Sequence, residues 1–420
     1  SVRIGHAPLV ELTGCEGAID PHLSDDGKTV AFVRDGDLYV APVPAGGPSR
    51  LTFDAAEGLT NGLAEFIAQE ELDRSRGFWW SPDGARLAYV RADERHIPVY
   101  PIVHQGRDAV DVEPHRYPFA GEANALLRLG VVPITGGDTT WLDLGPETDI
   151  YIARVDWRPD GTLTAQVLDR PQRTLRLLAF DLTTGAVRTL IEERSEPWLN
   201  LGPGPHFLKS GEILWSSQRS GFRHLYLYDA DGRLLRQLTS GEWMVTGVIH
   251  VDEDRRLVYF SATADSVLQR HLYVVSLDAG EPRRLTGPGG WHGAVLSPDG
   301  TRMVEVTSSL NHGPVVSVRD VDGGPETLLF ANAGATVDAL GLRPPELLEF
   351  FAADGVTKLH GALYRPESSE PAPWPLVVSV YGGPHAQRVA DEWSLTVDLR
   401  AQYLAQHGFA VLKLDNRGSA

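Results

Sequence analysis

Two adjacent carboxylates, Glu70 and Glu71, lie at the end of a short segment with one apolar face that begins at Gly62. Neighbouring residues on an α-helix point about 100° apart because one turn takes 3.6 residues. The pair can therefore bind one object only where the end of the helix projects into a cavity. A primary ammonium group suits such a pair, and at ~4 Å and an effective dielectric constant of ~20 each contact is worth roughly 4 kcal/mol before desolvation. The alternative is a solvated acidic helix end, which the spacing alone favours.

An aromatic strand and a tight turn follow the acidic pair. Arg74 and Arg76 lie close enough in sequence to neutralise the glutamates, although we expect them to be structural. Trp79 and Trp80 begin the strand, and we expect both rings in the core of a sheet rather than in contact with a ligand.

Composition and charge exclude several classes of protein. A chain of 420 residues exceeds one compact core, which favours two domains. Its net charge of −18 argues against nucleic acid and anionic membrane as partners. We find no run of about 18 apolar residues, no metal-ligand spacing of histidines and no phosphate-binding glycine loop. The sequence therefore predicts neither a metal nor a cofactor.

Turns of the form Ser-x-Asp-Gly recur along the chain. In such turns proline presets the bend, aspartate caps it and glycine supplies a positive φ. After each turn comes an alternating strand, then a strand containing Leu-Tyr, then a segment such as Arg-Leu-Thr. The clearest turns are Ser24-Asp25-Asp26-Gly27, Ser81-Pro82-Asp83-Gly84, Arg158-Pro159-Asp160-Gly161 and Ser297-Pro298-Asp299-Gly300.

This order repeats every ~45 to 75 residues, which is typical of four-stranded β-propeller blades. An open all-β sandwich would explain the strands but not their repeated order. We therefore expect residues 1–342 to form an all-β propeller domain, with about six blades of roughly eight present. Earlier blades would be missing because the first legible blade starts close to Ser1.

The pattern changes near Arg343. The sequence predicts a hairpin around Asp354-Gly355, a linker over residues 365–375, and then a buried strand over 376–381, a helix over about 394–407 and a second buried strand over 409–414. Gly408 is the expected helix stop. Strand, helix and strand in this order indicate a parallel α/β unit over residues 343–420.

Three segments together resemble a known family. They are the acidic pair before Trp79-Trp80, the strand end Val380-Tyr381-Gly382-Gly383-Pro384-His385, and Asp415-Asn416-Arg417-Gly418-Ser419. In this combination the chain resembles the prolyl oligopeptidase family of serine peptidases, and specifically its bacterial-type dipeptidyl peptidase IV branch. The resemblance implies a β-propeller followed by the first, truncated part of an α/β-hydrolase domain at residues 343–420.

The resemblance also implies roles for three residues. Glu70 and Glu71 would bind the free N-terminal ammonium of a peptide, so that only the bond after the second residue reaches the nucleophile. Tyr381 would donate a hydrogen bond to the oxyanion, since the loop after such a strand contributes to the oxyanion hole. His385 comes too early in chain order to be the catalytic base, and we expect it to be local structure.

The catalytic serine is missing from these residues. The sequence contains no Gly-x-Ser-x-Gly motif, and the resemblance places the serine, aspartate and histidine after Ala420. We therefore expect this chain alone to be inactive, with the rest of the catalytic domain supplied by the same protein or by a second chain.

The expected function is release of N-terminal dipeptides, Xaa-Pro or Xaa-Ala, from peptides with a free N-terminus. A tripeptidyl aminopeptidase or an acylaminoacyl peptidase of the same family is an alternative, and so is a non-catalytic propeller that binds peptides or a partner protein.

The family resemblance suggests a homodimer. The single cysteine, Cys15, and the lack of a visible leader favour the cytoplasm over the periplasm or secretion.

Overall fold

The recurring Ser-x-Asp-Gly turns close hairpins through a fixed set of hydrogen bonds. In one copy Ser81 Oγ donates to Asp83 Oδ1 over 2.5 Å and accepts from the backbone N–H of Arg86 over 3.0 Å. Gly84 has a φ of +65°, in the left-handed region that glycine adopts without steric cost. The turn therefore orients the strands on either side of it.

The computed structural model describes residues 12–106, 109–332, 339–366 and 372–419. Part of the predicted linker, residues 367–371, lies outside the described residues. Within the described ranges, six sheets follow one another along the chain. The first sheet contains β1 (Ile19–Leu23), β2 (Thr29–Arg34), β3 (Asp37–Pro42) and β4 (Ser49–Arg50).

The second sheet is interrupted by a helix and followed by a separate hairpin. Helix α1 (Phe66–Glu70) lies in sequence between the first two strands, and the hairpin of β8 (Val99–His104) and β9 (Asp111–Arg116) follows the third. The sheet itself contains β5 (Leu59–Asn61), β6 (Phe78–Trp80), β7 (Arg86–Asp93), β10 (Leu126–Pro133) and β11 (Thr140–Trp141).

The next four sheets each contain four strands paired in chain order. The third contains β12 (Ile150–Trp157), β13 (Leu163–Asp169), β14 (Thr174–Phe180) and β15 (Val187–Arg194). The fourth contains β16 (His206–Phe207), β17 (Ile213–Ser217), β18 (His224–Tyr228) and β19 (Leu234–Gln237). The fifth contains β20 (Val245–Asp252), β21 (Leu257–Ala262), β22 (His271–Ser276) and β23 (Arg283–Arg284). The sixth contains β24 (Trp291–Leu296), β25 (Arg302–Ser309), β26 (His312–Asp320) and β27 (Thr327–Ala331).

The last sheet differs from these six because it contains a parallel pair. The predicted hairpin is present as β28 and β29, and β30 runs parallel to β31 in the strand order β28-β29-β31-β30. Its elements are β28 (Glu346–Phe351), β29 (Lys358–Tyr364), β30 (Leu376–Val380), helix α2 (Trp393–Thr396), helix α3 (Leu399–Gln406) and β31 (Ala410–Leu414).

Two expectations for this region were wrong in detail. The single predicted helix is divided at Asp398, whose side chain accepts a hydrogen bond from the Ala401 N–H over 3.0 Å and so starts a new helix. The predicted buried strand β30 lies at the edge of the sheet, and Val378 and Val380 on it are more than half exposed. Gly408, with a φ of +87°, follows α3 as the predicted stop.

By its internal contacts the chain divides into two compact units, residues 1–215 with 228–235, and residues 216–227 with 236–420. In the first unit, one apolar cluster joins the first and second sheets around Leu38 and Phe78, and another joins the second and third around Leu129 and Ile152.

The succession of four-stranded sheets fits a β-propeller. The predicted domain boundary at residue 342 and the α/β-hydrolase assignment stay predictions. No helix in the described ranges is both long and apolar enough to cross a membrane.

The Thr of each Arg-Leu-Thr or Gln-Leu-Thr segment hydrogen-bonds through its side chain to the strand before it, and we call this contact the threonine tie. Thr239 Oγ1 accepts from the Leu225 N–H and contacts His224 Nδ1, both over 3.0 Å. Because His224 Nε2 lies 3.0 Å from the Gly241 carbonyl oxygen, which can only accept, Nδ1 is the acceptor and Thr239 the donor. The first and fifth sheets repeat the tie, and the pairs are Thr52 with Asp37 and Thr286 with His271.

The tie predicts a specific loss of stability for Thr239→Val. Valine keeps the shape but leaves the buried Leu225 N–H and His224 Nδ1 without partners, so we expect a loss of about 1 to 3 kcal/mol in the free energy of unfolding. Thr239→Ser keeps the hydroxyl group and should lose less. Urea unfolding of both variants measures the difference, and a valine variant as stable as the wild type would show that the tie is unimportant.

Asp156, on β12, is a partly buried carboxylate, and among the described residues no cation lies within ion-pair distance of it. Burial raises its pKa to about 6, and the nearby Arg154 opposes the increase only in part. The register places Asp156 opposite Thr164, on the face of the sheet away from the apolar cluster around Ile152. Ionising this side chain therefore costs folding free energy.

The raised pKa of Asp156 leads to a second prediction. In the folded state Asp156 holds its proton more tightly than in the unfolded state, where the carboxyl pKa is near 3.8. Stability therefore decreases as the pH rises from about 4 to about 6 and stays reduced above that range. Asp156→Asn, which cannot ionise, should be more stable than the wild type at pH 7.5 by up to about 3 kcal/mol, with no such gain below pH 4. Thermal unfolding at both pH values tests this, and an equal difference at the two would contradict it.

Candidate functional site

The segment with Glu70 and Glu71 leaves the second sheet and returns to the same edge of it. Strands β5 and β6 both pair with β7, the first opposite Arg91–Asp93 and the second opposite Leu87–Tyr89. Residues 62–77 therefore interrupt what would otherwise be one strand, and a bridge between Leu63 and Arg76 closes the base of the excursion. Helix α1 forms within it.

A buried ion pair holds the excursion together. The Arg74 guanidinium donates to Glu65 Oε2 over 2.7 Å, to the Ile152 carbonyl over 2.9 Å and to the Arg76 carbonyl over 2.7 Å. The side chains of Arg74 and Glu65 are 4% and 3% exposed. Buried charges are tolerated only when they are paired and hydrogen-bonded, as both are here. Arg74 is therefore structural, as expected, and its charge is used by Glu65.

A second arginine holds the other end of the helix. Arg154 Nη1 donates to the Leu72 carbonyl over 2.5 Å and to the Ala153 carbonyl over 2.7 Å. Two hydrogen bonds thus join β12 to this segment. In one, Ile152 of β12 accepts from Arg74, and in the other, Arg154 of β12 donates to Leu72. Sequence reasoning missed Arg154, although a lone cation in the apolar run Tyr151–Val155 was a visible signal.

Glu70 and Glu71, the two residues predicted to bind an ammonium group, are adjacent and exposed. Glu70 is the last residue of α1 and Glu71 is its C-cap, with its N–H bonded to the Ile67 carbonyl over 2.9 Å. In the part of the chain that the structure describes, neither carboxylate has an ion pair or a side-chain hydrogen bond. Both are therefore available to a cationic ligand.

Aromatic residues border the same helix. The Phe66 ring packs edge-on against His115 and Tyr117, with centroid distances of 5.4 and 5.1 Å. These residues lie at the end of the β8–β9 hairpin, which the sequence analysis did not predict. Trp79 and Trp80 lie against the two apolar clusters of the first unit, where the sequence analysis placed them.

Tyr381 lies in the second unit, directly after β30. Its side chain is 53% exposed, and in the described residues its hydroxyl group has no hydrogen-bond partner. A Cβ atom at Gly383 would come within 2.8 Å of Tyr381 Cε1, so the ring lies over this glycine. Gly382 has a φ of +82°, which turns the chain away from the strand. The Gly-Gly pair therefore makes room for the ring and sets its direction.

The loop after Tyr381 is fixed by two aspartates. Asp415 accepts from the N–H groups of Arg388 and Val389 over 2.6 and 3.0 Å. Asp391 accepts from the Gly290 and Leu310 N–H groups over 3.1 Å each. A loop carrying Tyr381 is thus tied to both β31 and the sixth sheet.

His385 is exposed in this loop, and its expected role as local structure stays a prediction. No group of three or more potential ligands that could hold a metal ion occurs among the described residues.

Comparisons with known proteins agree with this architecture. A family model described as the dipeptidyl peptidase IV (DPP IV) N-terminal region matches residues 9–314. Dipeptidyl peptidase 8 of Homo sapiens is 29% identical over an alignment of 504 positions, which covers 98% of this chain and 56% of the relative. A probable dipeptidyl peptidase 4 of Aspergillus flavus is 28% identical over 94% of this chain and 54% of that relative.

A solved structure shares the fold. The crystal structure of Porphyromonas gingivalis dipeptidyl peptidase 4 superposes with a TM-score of 0.88 at 26% identity, over 96% of this chain and 58% of that one. The chain therefore spans a little over half the length of the relatives it matches. Since the family model covers most of its residues, the chain belongs to the dipeptidyl peptidase IV family.

Proposed function

We propose that the intact protein is a serine-type exopeptidase that removes dipeptides, Xaa-Pro or Xaa-Ala, from the free N-terminus of peptides. The observation that carries the proposal is the pair of exposed, unpaired carboxylates, Glu70 and Glu71, on a helix whose two ends are anchored by buried or half-buried arginines. We call these two glutamates the amine clamp. The relatives named dipeptidyl peptidase support the same class of reaction.

The clamp explains selection of the chain end by simple electrostatics. An N-terminal ammonium has three donors, and two adjacent carboxylates can accept them together. Fixing the ammonium fixes the distance to each following peptide bond, so binding free energy is converted into positioning. A blocked N-terminus has no charge to offer, which argues against an acylaminoacyl peptidase.

Tyr381 is proposed as a hydrogen-bond donor to the oxyanion. Its hydroxyl group makes no bond within the described residues, and its ring is positioned by Gly382 and Gly383. A donor aimed at the developing negative charge lowers the barrier for acyl transfer. The proposal assigns the nucleophile, its base and the pocket for the second residue to parts of the intact protein other than these residues.

The clamp predicts the kinetics of Glu70→Gln and Glu71→Gln in the intact protein. Each change removes one charge and keeps the shape, so kcat/KM for a Gly-Pro chromogenic amide should fall by about 10- to 100-fold, mainly through KM. Glu147→Gln, an exposed glutamate in the same unit, is the matched control and should behave as the wild type.

Two results would overturn the clamp. One is unchanged turnover in both glutamine variants, and the other is equal use of an N-acetylated substrate. Release of Ala-Ala-Pro in preference to Gly-Pro would retain the clamp but replace the dipeptidyl assignment with a tripeptidyl one.

The oxyanion role predicts a different kinetic signature for Tyr381→Phe. Loss of the hydroxyl group should lower kcat by about 10²- to 10³-fold and leave KM nearly unchanged, because the bond forms only in the transition state. Tyr403→Phe, at a similarly exposed tyrosine on α3, is the control. Measurement of kcat and KM of both variants for the same amide tests the role of Tyr381. A kcat of Tyr381→Phe equal to that of the wild type would exclude this role.

A further inference from the structure

We propose that Arg154 is a positioning residue of the amine clamp, which fixes the chain directly after the two glutamates through the Leu72 carbonyl and brings there a positive charge that no ion pair neutralises. This inference rests on the proposed function of Glu70 and Glu71. It concerns a residue on a different sheet, 82 positions away from the carbonyl group that it contacts.

The contact lies just beyond the carboxyl end of helix α1, whose last residue is Glu70 and whose C-cap is Glu71. The carboxyl end of a helix carries partial negative charge. Two glutamates at this end repel each other and the helix terminus. Arg154 Nη1 supplies a donor to the Leu72 carbonyl, the first after the pair, over 2.5 Å.

A β-bulge aims Arg154 at the helix. The pairing of β12 with β13 shifts between Ile152 and Arg154, so that β12 contains one extra residue. As a result Ile152 and Val155, which are three positions apart, both pack into the same apolar cluster. The side chain of Arg154 is left outside this cluster. Bulges commonly redirect a side chain in this way beside functional sites.

The guanidinium of Arg154 forms no ion pair within the described residues. The charged groups around it are Asp73, Asp156 and Arg74, at longer range. Arg74, by contrast, is paired with Glu65. Arg154, unlike Arg74, is thus not neutralised by a direct ion pair, and a guanidinium stays charged throughout the working pH range.

The test is a comparison of Arg154→Met and Arg154→Lys in the intact protein. Methionine removes the charge and the donor, so we expect KM for the Gly-Pro amide to rise by about tenfold with kcat within about twofold of the wild type. Lysine should recover part of the loss. Arg170→Met is the matched control, because Arg170 also donates to a main-chain carbonyl in the same unit, that of Glu122. Thermal unfolding and labelling by a serine-directed fluorophosphonate, which needs no ammonium, show whether the variants are folded.

A double-mutant cycle separates this inference from the clamp itself. If Arg154 acts through the glutamates, Arg154→Met should add almost nothing to KM in a protein that already carries Glu70→Gln and Glu71→Gln. An additive effect, or a wild-type KM for Arg154→Met alone, overturns the inference and leaves the clamp intact. Wild-type kinetics for the double glutamine variant overturns the proposed function instead.

Discussion

The buried ion pair between Arg74 and Glu65 is the interaction on which the candidate site depends. Residues 62–77 leave the sheet, and the five-residue helix within them is too short to be stable by itself. Arg74 supplies what is missing, since one guanidinium fixes the start of the excursion at Glu65, its return at Arg76 and the adjacent strand at Ile152. Removing either charge would leave the other buried without a partner, which is more costly than never having had the pair.

The regular part of the fold makes this excursion possible. Each sheet pairs its own strands, and the first, fourth and fifth also carry a threonine tie, so the loss of a few pairings from one strand need not disrupt the neighbouring sheets. Strand β7 keeps β5 and β6 on one edge and β10 on the other, although the chain departs between them. The segment that carries the candidate site is thus an insertion into a scaffold that is stabilised by local repetition.

Local patterns predicted the repeating strands, the turns and the helix with its acidic pair, because each of these depends on residues close in sequence. The contacts that decide how the helix is held were not predictable in this way. Arg154 is on the third sheet and Leu72 is in the segment that leaves the second, 82 positions away in sequence. The sequence around Arg154 does not identify Leu72 as its partner. The break at Asp398 was missed for the opposite reason, since a local capping signal was present but was outweighed by the apolar pattern around it.

The contrast between buried and exposed charges explains how the proposed amine clamp would bind and still release a chain end. Glu70 and Glu71 are exposed, so an arriving ammonium would displace water from them at little desolvation cost and gain only a modest net free energy. Strong positioning must therefore come from rigidity rather than from affinity. The charges that provide rigidity, Arg74 and Glu65, are buried and paired, whereas the proposed ligand-binding carboxylates are solvated. This division would keep the geometry of the proposed clamp constant between cycles while the bound chain end remains free to leave.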